Sequence, residues 1–225
     1  MDDETRQWII RAAISAALVF VGWFLAIGTD MFRKWLQNRR LKKGLKTEIQ
    51  DLKYSLDVAR THYLHRLKAY AVGAVEIEKM IPLSNFIFSN NYSEINLKLN
   101  RNQRRSYETI HGFVDIYNKQ LDTIWDLTQE FAETNSPKVL DKLGQMLKGQ
   151  YLNVEILRLR IKYHLENPKY PALENNEKAT GEYLEAEKEI IEQIESLIEE
   201  WKNGTIEGYL ADKQFRYKIL TMPYD

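Results

Sequence analysis

The chain has 225 residues with 32 basic and 32 acidic side chains, so its formal net charge is zero. It contains no cysteine, which excludes disulfide bonds, cysteine-ligated metals and a cysteine nucleophile. The balanced total conceals two opposite regions: residues 31–110 carry sixteen Lys or Arg against seven Asp or Glu, whereas residues 174–202 carry ten Glu against three Lys. This asymmetry predicts a basic region that can face anionic lipid headgroups and an acidic helix far along the chain.

Residues 8–28 form the longest apolar run, WIIRAAISAALVFVGWFLAIG, and their only charge is Arg11. A helix of this length, at about 1.5 Å per residue, is about 30 Å long and matches the hydrocarbon core of a bilayer. A cleaved signal peptide is the alternative, but the residues before the run are acidic and a strongly basic stretch follows it. We therefore expect a transmembrane helix.

The charges on either side of this span predict its orientation. Residues 1–7 carry three acids and a single arginine, whereas residues 31–47 carry seven Lys or Arg and no acid. Because Lys and Arg are retained on the cytoplasmic side, we expect a short external N-terminus and a cytoplasmic body at the inner (plasma) membrane. The side chains expected to contact the lipid headgroups are Arg33, Lys34, Arg39, Arg40, Lys42 and Lys43.

One face of the span carries small or polar residues within an arc of about 80°. This face consists of Arg11, Ser15, Leu18, Gly22, Ala26 and Thr29. Small residues let transmembrane helices approach closely, and an ionisable residue in a span usually faces a bundle interior or a water-filled cavity. Alternatively, Arg11 extends to the outer headgroups, so whether it faces lipid or a lumen stays open. In either case the face predicts self-association into a homo-oligomer.

The rest of the chain has helical periodicity and no convincing strand pattern, which predicts an all-α fold. The span is expected to continue into a basic stalk helix of residues 29–81, which Pro82 ends. A bundle of about four helices is expected over residues 82–203, followed by a C-terminal tail of residues 204–225. The apolar seam of the stalk is Leu45, Ile49, Leu52, Leu56, Ala59, Tyr63, Leu67, Tyr70, Ala74, Ile77 and Ile81.

Within the bundle region, residues 83–104 are rich in Asn and Ser and predict a connector with short helical turns, from which Phe86, Ile87 and Phe88 insert into the bundle. Helices are expected over residues 105–134, 137–166 and 177–203, with Pro137 at a helix start and Asn167-Pro168 as a stop. A short helix or docked tail is expected within residues 209–225. The stripes of the first two helices are Tyr107, Ile110, Val114, Tyr117, Leu121, Ile124, Thr128 and Phe131, then Leu140, Leu143, Leu147, Tyr151, Val154, Leu157, Ile161 and Leu165.

Most sequence signatures of enzymes are missing. The sequence contains no glycine-rich phosphate loop, no nucleophile elbow and no His-Glu-x-x-His zinc pair. His62 and His65 have a spacing that can hold a metal, but no third ligand is visible. We therefore predict no metal and no cofactor, and no small-molecule substrate is evident.

One pattern points to catalysis. Helical ribonucleases of the HEPN superfamily carry an arginine four to six residues before a histidine, and three such pairs occur here: Arg60 with His65, Arg105 with His111, and Arg158 with His164. Only the last pair lies near the end of a bundle helix, where Arg158 could stabilise a phosphate and His164 could act as acid or base. The alternative is a structural histidine, because this offset places the two side chains about 120° apart on a straight helix.

An N-terminal span followed by a helical domain with the pair Arg158 and His164 resembles the small membrane proteins encoded beside type VI, RNA-targeting CRISPR effectors. The resemblance covers the architecture of roughly the first 165 residues. It implies an oligomeric pore that acts in antiviral defence, with RNA or an RNA-guided effector complex as a candidate partner.

Three functional hypotheses follow from the sequence. The first is a non-enzymatic, self-associating inner-membrane protein that forms a pore or depolarises the membrane as an antiviral effector or accessory. The second is a membrane-tethered HEPN-like ribonuclease that uses Arg158 and His164. The third is a non-enzymatic membrane scaffold that recruits a partner through its basic stalk or its acidic helix. The oligomer number and the trigger stay open.

Overall fold

The computed structural model describes the backbone of residues 2–202 and 204, and their side chains except those of residues 3, 5, 6 and 9–13. All regular structure in this part of the chain is helical, which confirms the all-α prediction. The α-helices are α1 (Asp3–Ala71), α2 (Phe86–Ile95), α3 (Arg101–Thr134), α4 (Pro137–Glu166) and α5 (Glu177–Lys202), with short 3-10 helices at Asn96–Lys98 and Leu173–Asn175.

The helix α1 has 69 residues and is therefore about 100 Å long. Its described side chains are exposed from residue 14 to residue 35, and its first buried residue is Leu45. From Leu45 to Leu67 the predicted apolar seam is buried, which confirms that part of the seam. The helix thus has two parts, one that projects alone and one that packs in the core. We refer to the packed part of the chain, residues 41–202, as the bundle.

The end of α1 corrects the prediction of a helix through Ile81, because the helix stops at Ala71. Gly73 has a φ of +74°, and the N–H groups of Gly73 and Ala74 donate to the carbonyls of Tyr70 and Ala69 at 3.0 and 2.8 Å. This is a Schellman motif, in which glycine takes the left-handed conformation that other residues avoid. The predicted seam residues Ala74, Ile77 and Ile81 therefore leave the helix.

The connector contains the α-helix α2, which has ten residues and is therefore longer than the short helical turns that were predicted. Ile87 and Phe88 pack against the core as expected, but Phe86 is 70 % exposed, so its predicted insertion was wrong. The reason is geometric, because three successive helical residues point about 100° apart and cannot all face one core.

The helices α3 and α4 form most of the core together with α1. The entire predicted stripe of α3 is buried, and this helix starts at a capping box in which Asn100 and Gln103 bind each other's backbone N–H groups. The helix α4 starts at Pro137, as predicted, and packs between α1 and α3. Six of its eight stripe residues are buried, while Leu140 and Leu165 are half-buried at its two ends.

The acidic helix α5 packs along α1 and α4 through a narrow apolar edge. Ile194 is buried there, and the ring of Trp201 lies 4.3 Å from the ammonium of Lys68. Most of its glutamates are exposed, as expected for a solvated face. The tail predicted within residues 209–225 lies outside the described residues.

Candidate functional site

The part of α1 that precedes the bundle is long and apolar enough to span a membrane. None of its most apolar stretch is buried inside the molecule, and large side chains such as Trp23, Phe24 and Trp35 are exposed. A surface helix of a soluble domain is apolar on one face, whereas this segment presents apolar side chains on all sides. Because none of its most apolar stretch is buried, this segment also differs from a core helix of similar composition, which other parts of the protein would cover.

The predicted helix-packing face has no protein neighbour within the described part of the chain. A Cβ added to Gly22 would meet no atom within 4 Å, and the hydroxyl of Thr29 donates to the carbonyl of Leu25 at 2.7 Å. The side chain of Arg11 lies outside the described residues. The other members of this face are all exposed: Ser15, Leu18, Gly22, Ala26 and Thr29.

The cations predicted to contact lipid headgroups lie on α1 after the apolar run, four of them before the bundle and two, Lys42 and Lys43, at its start. A pair of aromatic rings lies beside them. Phe32 stacks on Trp35 with ring centroids 5.9 Å apart, and the guanidinium of Arg39 lies 5.6 Å from the centroid of the Trp35 ring. Aromatic rings next to cations are typical of a membrane–water interface. All six cations are exposed, and the ammonium of Lys34 forms a surface ion pair with Asp30 at 3.0 Å. The six are Arg33, Lys34, Arg39, Arg40, Lys42 and Lys43.

Arg158 is held by carboxylates. Its Nε and Nη2 lie 2.8 and 2.7 Å from Oδ1 of Asp57, and its Nη1 lies 2.6 Å from Oε2 of Glu155. Arg60 also binds Glu155, so two arginines and two acids form a network between α1 and α4. The two carboxylates neutralise the guanidinium and occupy the donors that a phosphate would need.

His164 has other neighbours. Its Nδ1 lies 2.8 Å from Oγ of Ser106, and its ring packs edge-on against Tyr107 with centroids 4.7 Å apart. Burial lowers the pKa of His164 to about 4, so the imidazole is neutral at pH 7. Among the described residues, Arg158 and His164 thus share no partner. Catalysis by this pair stays a prediction.

Sequence reasoning missed a buried polar cluster that joins α1, α2 and α3. The carboxylate of Glu48 accepts the backbone N–H groups of Ile87 and Phe88 at 2.7 and 3.0 Å, and so caps the first turn of α2. Its Oε2 lies 3.6 Å from Nε2 of His111, whose fully buried ring stacks on Phe88 at 3.9 Å. No local signal reveals this cap, because it comes from a residue 39 positions earlier in the chain.

Burial shifts the pKa values of this cluster in opposite directions. Desolvation raises the pKa of Glu48, while desolvation and the nearby His164 lower the pKa of His111 to about 4. Both ring nitrogens of His111 lack a hydrogen-bond partner within the described residues. The imidazole is neutral at pH 7, and protonating it would place a charge in the core.

The described residues contain no group of three His, Asp or Glu side chains that could hold a metal ion. His62, one of the two histidines with metal-ligand spacing, instead lines an apolar groove of about 270 Å³ beside α1. Residues 78–83 form the opposite wall of this groove, and the guanidinium of Arg66 donates to the carbonyl of Glu78 there. Tyr54 and Ile81 lie at the groove and are largely exposed.

Comparison with known proteins finds no matching family model, no matching curated protein and no matching solved structure. Function must therefore be argued from the geometry of this chain.

Proposed function

We propose that the protein is a single-span inner-membrane protein that self-associates and permeabilises or depolarises the membrane. Residues 1–7 lie outside and the bundle lies in the cytoplasm. One observation supports the proposal above all others: the apolar first part of α1 is uncovered on every side, while the same helix continues without a break into the core.

The uncovered segment needs an apolar environment. Each large apolar side chain removed from water contributes about 1.5–3 kcal/mol, and at least ten such side chains are exposed between residues 8 and 35. The sum far exceeds the stability of an ordinary domain. Insertion into a bilayer removes these side chains from water. The seven basic residues that follow the span keep the bundle on the cytoplasmic side.

The absence of a break in α1 couples the bundle to the span. Leu45 and Leu67 are core residues of the bundle, and they lie on the same helix as Gly22. A rearrangement or association of bundles therefore moves the spans directly, without a flexible linker between them. This coupling is what a protein needs if an event in the cytoplasm is to change the state of the membrane.

The small and polar face gives the spans a way to gather. Gly22 and Ala26 permit close approach of two helices, and Ser15 and Arg11 supply polar groups that an assembly would turn toward one another or toward water. Gathered spans would open an aqueous path along this face. The resemblance to the accessory proteins of type VI CRISPR systems would place such a device in antiviral defence.

The test is dye release from liposomes together with the particle mass in neutral detergent. Gly22→Leu blocks the packing face, and Gly28→Leu makes the same change about 120° around the helix from the centre of that face. A Cβ added at either glycine meets no atom of the described part of the chain within 4 Å. We expect the wild type and Gly28→Leu to form oligomers and release dye. Gly22→Leu should lose most of its oligomer formation and most of its dye release.

A strictly monomeric wild-type particle that releases no dye would contradict the proposal. Equal loss in both glycine variants would show that bulk in the span, rather than this face, is responsible.

The apolar groove favours a scaffold as the second candidate. Exposed Tyr54 and Ile81 at a groove are typical of a surface that contacts another protein. A scaffold would release no dye, and its capture of a partner would be lost in Ile81→Asp but kept in Ile77→Asp, which alters another exposed isoleucine that lies outside the groove.

The HEPN-like ribonuclease is not favoured by the contacts of Arg158 and His164. It is tested by RNA cleavage with the intact protein. Cleavage that disappears in Arg158→Ala with His164→Ala would support it, and no cleavage by the wild type would discard it.

A further inference from the structure

We propose that a pocket at the end of the bundle nearest the span binds a phosphate group. The pocket has a volume of about 190 Å³, well above the roughly 10–15 Å³ that a cavity needs to hold one water molecule. Three helices build it: α1 contributes Lys42 and Lys46, α3 contributes Gln103 and Tyr107, and α4 contributes His164. This site goes beyond the proposed function, because it does not depend on pore formation.

The positive charge of the pocket is not compensated within the described chain. Lys42 and Lys46 are exposed, and no described carboxylate lies within ion-pair distance of either ammonium. Their spacing of four residues puts the two like charges side by side on α1, which destabilises a helix slightly. An anion bound between them would relieve this repulsion.

Uncharged donors complete the site. The hydroxyl of Tyr107 makes no hydrogen bond with the described residues, and burial raises the pKa of Tyr107 to about 12, so it remains a donor. When Ser106 donates to Nδ1 of His164, the ring proton sits on Nε2 and can also be donated. Gln103 forms a fixed wall, because its side chain already binds Asn100 and the carbonyl of Pro168.

This set of groups matches a phosphate. Two ammonium groups, a phenol and an imidazole can donate to several oxygens of one tetrahedral anion, and charge-assisted hydrogen bonds of this kind are strong. Leu99, Leu165 and Pro168 line the remainder of the pocket and can contact the body to which the phosphate is attached. A carboxylate would leave part of the donor set unused.

The phosphate can come from a lipid headgroup or from a soluble compound. Lys42 lies 14 residues beyond Gly28, which is about 21 Å along an α-helix. The headgroup region adds only about 5–8 Å on each side of the hydrocarbon core. An upright α1 therefore places the pocket, together with Lys42 from the predicted headgroup contacts, below the headgroups and suits a soluble phosphate. A strongly tilted α1 brings the pocket and Lys42 to the lipid.

The experiment uses the full chain in nanodiscs and measures the thermal unfolding midpoint. In phosphatidylcholine nanodiscs, inorganic phosphate is titrated against chloride at constant ionic strength. In a second arm, nanodiscs with one-fifth phosphatidic acid are compared with nanodiscs containing as much phosphatidylglycerol. The pocket variant is Lys42→Gln with Lys46→Gln. The matched control is Lys53→Gln with Lys119→Gln, which removes two exposed cations of the bundle that neither line the pocket nor belong to the predicted headgroup contacts.

We expect phosphate or phosphatidic acid to raise the midpoint of the wild type and of the control. The pocket variant should bind at least about tenfold more weakly, since it loses two charge-assisted hydrogen bonds. Tyr107→Phe, which keeps the ring in place, should weaken binding by a smaller factor. A response to phosphate alone identifies a soluble ligand, and a response to phosphatidic acid identifies a lipid. The proposal is overturned if neither probe shifts the midpoint, or if both double variants respond equally.

Discussion

The two parts of α1 share one continuous backbone but meet opposite surroundings. Between residues 14 and 35 no side chain is buried, although many are large and apolar. Between residues 45 and 67 the seven residues of the apolar seam recur at every third or fourth position and are almost completely buried against the rest of the bundle. The same type of side chain is therefore covered by protein in one part and left uncovered in the other.

This difference shows that pattern, rather than apolar content alone, decides what covers a helix. An apolar stripe matches a protein neighbour, whereas a helix that is apolar all round matches lipid. Substitutions in the second part should change the stability of the bundle, and substitutions in the first part should not.

The largest contrast is expected between Leu56→Ala and Phe24→Ala. Leu56 is fully buried, and its truncation should lower the free energy of unfolding by about 2–5 kcal/mol, since it loses apolar contacts and leaves a cavity. Phe24 is 68 % exposed, and its truncation should change this free energy by less than about 0.5 kcal/mol. Urea denaturation in detergent micelles, followed by near-ultraviolet circular dichroism, measures both. Equal losses would show that the first part of α1 packs on the bundle.

Acidification should have the next largest effect, a decrease in the stability of the bundle. The folded-state pKa values of His111 and His164 lie near 4, below the ordinary histidine value of about 6.5, so the unfolded chain binds more protons between these values. The free energy of unfolding should be at its full value above about pH 6.5. It should be lower by about 2 kcal/mol per histidine at pH 5. The raised pKa of Glu48 acts in the opposite direction and reduces the total loss.

The variant His111→Phe isolates one of the two contributions. It keeps a ring stacked on Phe88 but removes the titrating nitrogens. The urea midpoint of this variant should depend on pH about half as strongly as that of the wild type. An unchanged dependence would assign the acid sensitivity to other groups.

Among the changes within the bundle, the smallest effect is expected from Gly73→Ala, at the point where the packed part of α1 ends. An added Cβ meets no atom within 4 Å, so the cost is conformational only and should be about 1 kcal/mol. The same denaturation experiment measures it. Stabilisation by alanine would indicate that the helix prefers to continue past Ala71.

Sequence periodicity predicted the stripes of α1, α3 and α4 because each is a local property of one helix. The prediction that α1 ends at Pro82 was wrong, because Gly73 takes the left-handed conformation and stops the helix earlier. The partner of His164 could not be predicted, because Ser106 lies 58 residues away and the contact depends on how α3 meets α4. The cap of α2 by Glu48 is equally non-local, because it joins residues 39 positions apart. No neighbouring residue in the sequence distinguishes Glu48 from a solvent-exposed glutamate.

The central claim, that lipid surrounds the first part of α1 while the bundle faces water, can be tested most directly by spin-label accessibility in liposomes. The chain has no cysteine, so Val21→Cys, Phe24→Cys and Tyr54→Cys each provide a single label, and all three positions are exposed. We predict that labels at 21 and 24 collide with dissolved oxygen and are shielded from a water-soluble nickel chelate, whereas the label at 54 is open to the chelate. Equal exposure of all three labels to the chelate would contradict the account.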